Sequence, residues 1–172
     1  PHSGQNWQLI GDENDISAGH FLELKGDYLR LKSFNGQGMS DKDGLSISKL
    51  GDNWVQGKYL EIALPVESSE GAQLFDAAVS FSGKIYWVFQ KQGGDSFSGS
   101  ANDRYFLLES EDGKTWSKTV NPFADTGCDL DFGRDLVYGF ADSKAMYFTC
   151  KGAYEMITVQ STDGSTWTEV KP

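Results

Sequence analysis

Apolar and polar residues alternate along this chain in short runs. His20-Phe21-Leu22-Glu23-Leu24, Tyr28-Leu29-Arg30-Leu31-Lys32 and Leu45-Ser46-Ile47-Ser48 switch character residue by residue, which predicts strands with one face turned to a core. The same pattern predicts strands at Trp7 to Ile10, Trp54 to Gln56 with an extension through Lys58 to Ile62, Asp76 to Phe81, Tyr105 to Glu109, Asp135 to Phe140, Ala145 to Cys150, Tyr154 to Ser161 and Trp167 to Val170. Lys84 to Phe89 is apolar almost throughout, so it predicts a strand buried on both faces. Lys25-Gly26-Asp27, Ser82-Gly83 and Asp142-Ser143 punctuate these runs as turns. No segment keeps helical periodicity for more than about two turns.

One stretch occurs twice. Ser110-Glu111-Asp112-Gly113-Lys114-Thr115-Trp116 returns 51 residues later as Ser161-Thr162-Asp163-Gly164-Ser165-Thr166-Trp167, each time after an alternating run. Asp-Gly at the tip predicts a hairpin turn: the carboxylate can accept backbone N–H bonds, Gly can take a positive φ, and the hydroxyls can close the loop on itself. The Trp that follows is expected to cover the junction with the next sheet. A weaker copy, Ser48-Lys49-Leu50-Gly51-Asp52-Asn53-Trp54, keeps Ser, Gly and Trp at the same spacing, and Gly4-Gln5-Asn6-Trp7 keeps Gly and Trp. A period of this length points to a repeat architecture. Combined with the strands it predicts one domain of three units, 11–62, 63–123 and 124–172, each with four antiparallel strands in up-and-down order. That is an all-β fold of propeller-type blades, with an open β-sandwich as the alternative.

The Ser-x-Asp-Gly-x-Thr-Trp copies resemble the Asp-box, or bacterial neuraminidase repeat, of β-propeller proteins. The resemblance implies that the box sits on the hairpin joining the third and fourth strands of a blade, away from the active face. It gives Ser110, Asp112, Gly113, Thr115 and Trp116, and likewise Ser161, Asp163, Gly164, Thr166 and Trp167, structural roles. It implies fold more than activity, because such boxes occur in sialidases, other glycosidases, lectins, sorting receptors and proteins with no known activity.

Composition narrows the partners. A chain of 172 residues suffices for one domain with a sizeable core. Its formal charge of −10, spread along the chain, argues against nucleic acid or an anionic membrane and toward a neutral or cationic partner. No run approaches the roughly 20 apolar residues of a helical membrane span, and no signal-like segment begins the chain. Cys128 and Cys150 permit a disulfide without demanding one. The resemblance points to an extracellular or periplasmic protein.

In up-and-down blades the short turns and the boxes share one face, and the longer connections, 11–19, 34–44, 63–75, 91–103 and 121–134, share the other, which is the expected binding face. His20, Asp76 and Asp135 open the expected innermost strands. They predict either an axial site for a cation or sugar hydroxyl or ordinary capping of strand starts. Asp129 and Asp131 offer carboxylates to Ca2+ but lack calcium-loop spacing, so a solvated acidic loop is the competing reading; no other cofactor is expected. Arg30, Arg104 and Arg134 fall one to a unit but in non-equivalent places, unlike the arginine triad that a sialidase resemblance would require. They read as surface or inter-blade ion pairs, with Arg104 and Arg134 retained as ligand-binding candidates. Trp87 reads as blade core or as a sugar platform.

No nucleophile elbow, paired-histidine motif, phosphate loop or Cys-x-x-Cys is present, so no catalytic residue is assigned. The expected function is a non-catalytic module that recognises a glycan or protein through its long-loop face. The alternative is a glycan-processing hydrolase assembled across an oligomer. Propellers run from about four to eight blades, so three units predict a homodimer closing a six-bladed ring, a partner chain carrying the remaining blades, or a piece of a longer propeller.

Overall fold

The computed structural model describes residues 20–33, 45–49, 72–91, 105–128, 137–152 and 154–171. These form three antiparallel sheets: β1 (His20–Leu24), β2 (Asp27–Ser33) and β3 (Leu45–Lys49); β4 (Ala72–Phe81), β5 (Lys84–Lys91), β6 (Tyr105–Ser110) and β7 (Ser117–Lys118); and β8 (Tyr138–Ala141), β9 (Met146–Lys151), β10 (Met156–Ser161) and β11 (Thr168–Glu169). Each sheet pairs its strands in chain order. No helix occurs among the described residues, and the all-β reading with four-stranded up-and-down sheets holds. The expected strands at Trp7 and at Trp54 to Ile62 lie outside the described residues.

Local chemistry accounts for the hairpins. At Lys25-Gly26 and Ser82-Gly83 both central residues have positive φ, 52° and 85° in the first and 49° and 76° in the second. That is the turn whose twist matches the flanking strands. The turn before β9 works differently: Asp142 Oδ1 accepts the N–H groups of Lys144 and Ala145 at 2.7 and 2.8 Å.

Strand ends depart from expectation where periodicity breaks. β4 begins at Ala72, inside the segment read as a loop, because its pairing with β5 jumps from Leu74–Phe89 to Ala77–Val88. The bulge interrupts the alternation, so Ala72 to Leu74 and Ala77 to Phe81 do not read as one strand. Tyr154 and Glu155 form a bend before β10. Asn121 to Thr126 is a hydrogen-bonded hook: Asn121 Oδ1 accepts the Phe123 N–H at 2.9 Å, and Thr126 Oγ1 donates to the Phe123 carbonyl at 2.7 Å. The hook drives Phe123 into the core against Tyr105, with ring centroids 5.3 Å apart.

The core lies between sheets, in two layers that follow the period-two rule. Ile85, Trp87, Phe106, Leu108 and Ala78 face the first sheet, meeting Leu24 and Leu29. Their sequence neighbours Tyr86, Val88, Tyr105, Leu107, Ala77 and Val79 face the third sheet, meeting Met146, Phe148, Cys150, Ile157 and Val159. Both sides of β5 are therefore buried, as its apolar run predicts, and Trp87 is core and not a platform. The sheets meet through β1, β4 and β8 and through the second strands next to them. At β8 the approach is close: a Cβ on Gly139 would lie 2.8 Å from Phe148 and 2.9 Å from Val79. Three sheets fanned about their first strands are propeller-type blades.

Candidate functional site

The two ends of the sheets differ in chemistry. At the turn end, Asp112 Oδ1 accepts N–H bonds from Lys114 and Thr115, both at 2.7 Å, and the Ser110 hydroxyl at 3.2 Å; Oδ2 accepts the Thr115 hydroxyl at 3.2 Å. Ser110 Oγ in turn accepts the Gly113 N–H at 2.8 Å, and Trp116 Nε1 donates to the Gly113 carbonyl at 3.2 Å. The second copy repeats this. Asp163 Oδ1 accepts Ser165 and Thr166 N–H, both at 2.8 Å, Ser161 Oγ accepts the Gly164 N–H at 2.9 Å, and Trp167 Nε1 donates to the Gly164 carbonyl at 3.3 Å. Gly113 and Gly164 have φ of 72° and 80°.

Hydrogen bonds to the charged form hold these carboxyls below the usual range. The backbone donors Thr115 and Lys114 do so for Asp112, and Thr166 and Ser165 for Asp163. The backbone donors Ala145 and Lys144 lower Asp142 in the same way. Each acid is occupied by its own turn, which suits a structural part. Both indoles close the junction with the preceding sheet and not the following one: Trp116 meets Trp87 edge-on at 6.1 Å, and Trp167 meets Phe148 at 5.4 Å.

The turns also lock sheet to sheet, a feature that sequence reading missed. A Cβ on Gly164 would lie 2.5 Å from Tyr86 Cε1 on β5, so the third sheet's turn seats its backbone on that ring. Burial, and then the nearby Glu109 carboxylate, raise the Tyr86 phenol's pKa. Lys84 sits 3.4 Å from both Glu109 and Glu111. Desolvation pulls its ammonium down, but the two carboxylates outweigh this and its pKa is raised. Ser80 Oγ donates to the Glu23 carbonyl and ties the first two sheets.

The opposite end is built around Cys128 and Cys150. They form a disulfide with Cα atoms 6.0 Å apart, both cysteines buried. Cys128 also bridges Gly152, whose N–H donates to the Glu155 carbonyl at 2.6 Å. The backbone here is tight: a Cβ on Gly152 would lie 2.9 Å from both the Glu155 carbonyl and Ile157. The stem of the acidic loop that follows Cys128 is thus fastened to the end of β9.

The sequence candidates are placed unevenly. His20 opens β1 opposite Leu31, while Asp76 lies at the β4 bulge and not at the strand start, on the neighbouring inner strand. Arg30 lies in β2 opposite Ser48. Asp129, Asp131, Arg134 and Asp135, and Arg104, lie outside the described residues. Among the described residues no cluster of acids, histidines or cysteines could hold a metal ion, and no helix is long and apolar enough to cross a membrane.

No family model matches the chain, and no curated protein matches it. Among solved structures it is similar to a mutant of a Bombyx mori GH32 β-fructofuranosidase, in complex with sucrose, at a TM-score of 0.53 and 14% identity over 88% of this chain and 33% of that one. The chain spans about a third of the length of that protein. The enzyme belongs to a family of five-bladed β-propellers. At this identity the likeness concerns the fold alone, and it supports propeller-type blades.

Proposed function

We propose that this chain is a non-catalytic binding module that holds a glycan or protein partner on the face opposite its tight turns. The observation that carries the reading is the asymmetry of the two ends. At one end, Asp112, Asp142 and Asp163 are all engaged by their own backbone. At the other, a disulfide and a glycine crossing fasten the base of the loop that carries Asp129, Asp131, Arg134 and Asp135. A loop held on a fastened stem is a common design of a recognition surface. The disulfide also fits an oxidising compartment, hence an extracellular or periplasmic protein.

A glycan array and a pull-down with the intact chain test the reading. His20→Ala, Asp76→Ala and Asp135→Ala address an axial site, Arg104→Ala and Arg134→Ala the loop face, and Asp129→Asn with Asp131→Asn a calcium-assisted one. Thr162→Ala, exposed at the turn end, is the control. Weaker binding in the loop-face variants, with the control unchanged, supports the module; binding unchanged in all of them sinks it. The second reading, a glycan-processing hydrolase, draws support from the neighbour's description as a β-fructofuranosidase in complex with sucrose. Release of fructose from sucrose by the purified chain would favour it.

A further inference from the structure

The chain leaving the second sheet reaches the third through the Asn121 to Thr126 hook and then through Gly127 and Cys128. Gly127 crosses Gly152 backbone to backbone: a Cβ on Gly152 would lie 3.2 Å from the Gly127 carbonyl, and a Cβ on Gly127 would lie 3.3 Å from Ile157. Cys128 adds one isolated bridge to Gly152, and its N–H reaches Thr126 Oγ1 at 3.5 Å, too long to hold much. The Cys128–Cys150 disulfide is the covalent tie at this crossing.

Neither flank depends on that tie. Upstream, the hook is closed by its own bonds from Asn121 and Thr126, and the buried Phe123 anchors it on Tyr105. Downstream, β9 pairs with β10 from Lys151 to Met146 and with β8 from Thr149 to Met146. Cys128 and Cys150 belong to the apolar cluster that also holds Val137, Phe148 and Ile157, and as neutral thiols both are small apolar side chains that such a cluster accommodates. Breaking the bond therefore removes a fastening and leaves two flanks that stand by themselves.

We propose that Cys128–Cys150 is a redox-sensitive fastening: a dithiol reductant opens it in the folded chain, Gly127 and Cys128 part from Gly152, and the described sheets persist. Cys128, beside the exposed Gly127, is the more accessible sulfur, since Cys150 is fully buried. A thiolate of the dithiol attacks Cys128 Sγ and forms a mixed disulfide; the original S–S bond breaks, and Cys150 leaves with the electron pair and takes a proton. The second thiolate attacks the reductant's own sulfur in the mixed disulfide and releases Cys128, which is protonated in turn. The cysteines gain two electrons and two protons, and the dithiol becomes a disulfide. Resting on the reading of this end as the binding face, reduction loosens the base of that face, so ligand is held in an oxidising medium and released in a reducing one.

The test follows reduction of the intact native chain by dithiothreitol, with iodoacetamide trapping and mass spectrometry, at urea concentrations below the unfolding transition. Opening at the crossing exposes little surface, so the logarithm of the reduction rate should rise with urea at a slope well below the equilibrium m value. A slope equal to m would overturn the proposal, because the bond would then open only with the whole fold. Hydrogen exchange of the reduced chain gives a second readout: amides from Thr126 to Cys128 and at Gly152 should exchange about tenfold faster or more, with those of β5 and β6 unchanged. Unaltered exchange at Cys128 and Gly152, or protection lost throughout β5 and β6, would each sink it. Neither readout involves a ligand, so both stand apart from the binding reading. Glycan or partner binding that survives reduction would sever the fastening from the face and leave the module itself in place.

Discussion

Gly164→Ala is the smallest change that probes the seat of one sheet upon the next. Two effects add there. The φ of +80° is a conformation that alanine adopts at a cost of about 1–2 kcal/mol. The new methyl would also lie 2.5, 2.9 and 2.9 Å from Cε1, Cζ and the hydroxyl of Tyr86, a ring only 2% exposed and without room to retreat. Overpacking of that kind costs about 1–3 kcal/mol. Gly26→Ala isolates the first effect, because Gly26 has a φ of +85° and no atom within 4 Å of the added methyl. Urea denaturation should therefore show Gly26→Ala destabilised by about 1–2 kcal/mol and Gly164→Ala by about 2–5 kcal/mol. Tyr86→Leu, which removes the ring and its hydroxyl, should absorb part of the Gly164→Ala loss, giving a coupling above roughly 0.5 kcal/mol. Equal losses for the two glycine variants would refute the seat on Tyr86.

Three further outcomes follow from the same contacts. Replacing Cys128 and Cys150 together by alanine opens a loop spanning a separation of 22 residues and should lower the unfolding free energy by about 3 kcal/mol, with the melting temperature of the native chain falling under reductant toward that of the variant. Gly139→Ala, between Phe148 and Val79, should cost about 1–3 kcal/mol in denaturant unfolding although its backbone is ordinary strand. Asp112, Asp142 and Asp163 titrate lower in the folded chain than in the unfolded one. Their contribution is thus complete above the unfolded value near 3.9 and is lost as pH falls through the folded values. Melting curves should show the gap between the native chain and Asp163→Asn narrowing below about pH 4; a gap constant down to pH 2 would contradict the turn assignment.

Much of the fold was written in local pattern. Alternation located the β1, β2, β3, β6 and β9 runs, and Gly26 and Gly83 marked hairpins that need positive φ. The box residues announced a turn whose bonds lie within seven positions of each other. What was hidden needed partners distant in the chain or a break in period. The β4 bulge breaks the alternation between Leu74 and Ala77, so the strand begins at Ala72, ahead of the Asp76 at which the sequence pattern opens it. Phe123 falls in the 121–134 connection, and only Asn121 and Thr126 together make the hook that buries it. Tyr86 and Gly164 lie in different sheets, and neither residue type signals the other. The candidate site was less legible than the fold because most of its residues, Arg104, Asp129, Asp131 and Arg134 among them, fall in sequence between the alternating runs, where no period applies.

Among the described residues the second sheet is the one covered on both faces, by Leu24 and Leu29 on one side and by Phe148 and Val159 on the other. Sheets that touch only their neighbours behave as a short one-dimensional array, in which interior members are stabilised by two interfaces and terminal ones by one. Opening should then start at the outer sheets and move inward, so the amides of β5 and β6 should exchange last. The central strands of the middle blade are the clamp on which the folding cooperativity of the three described sheets depends.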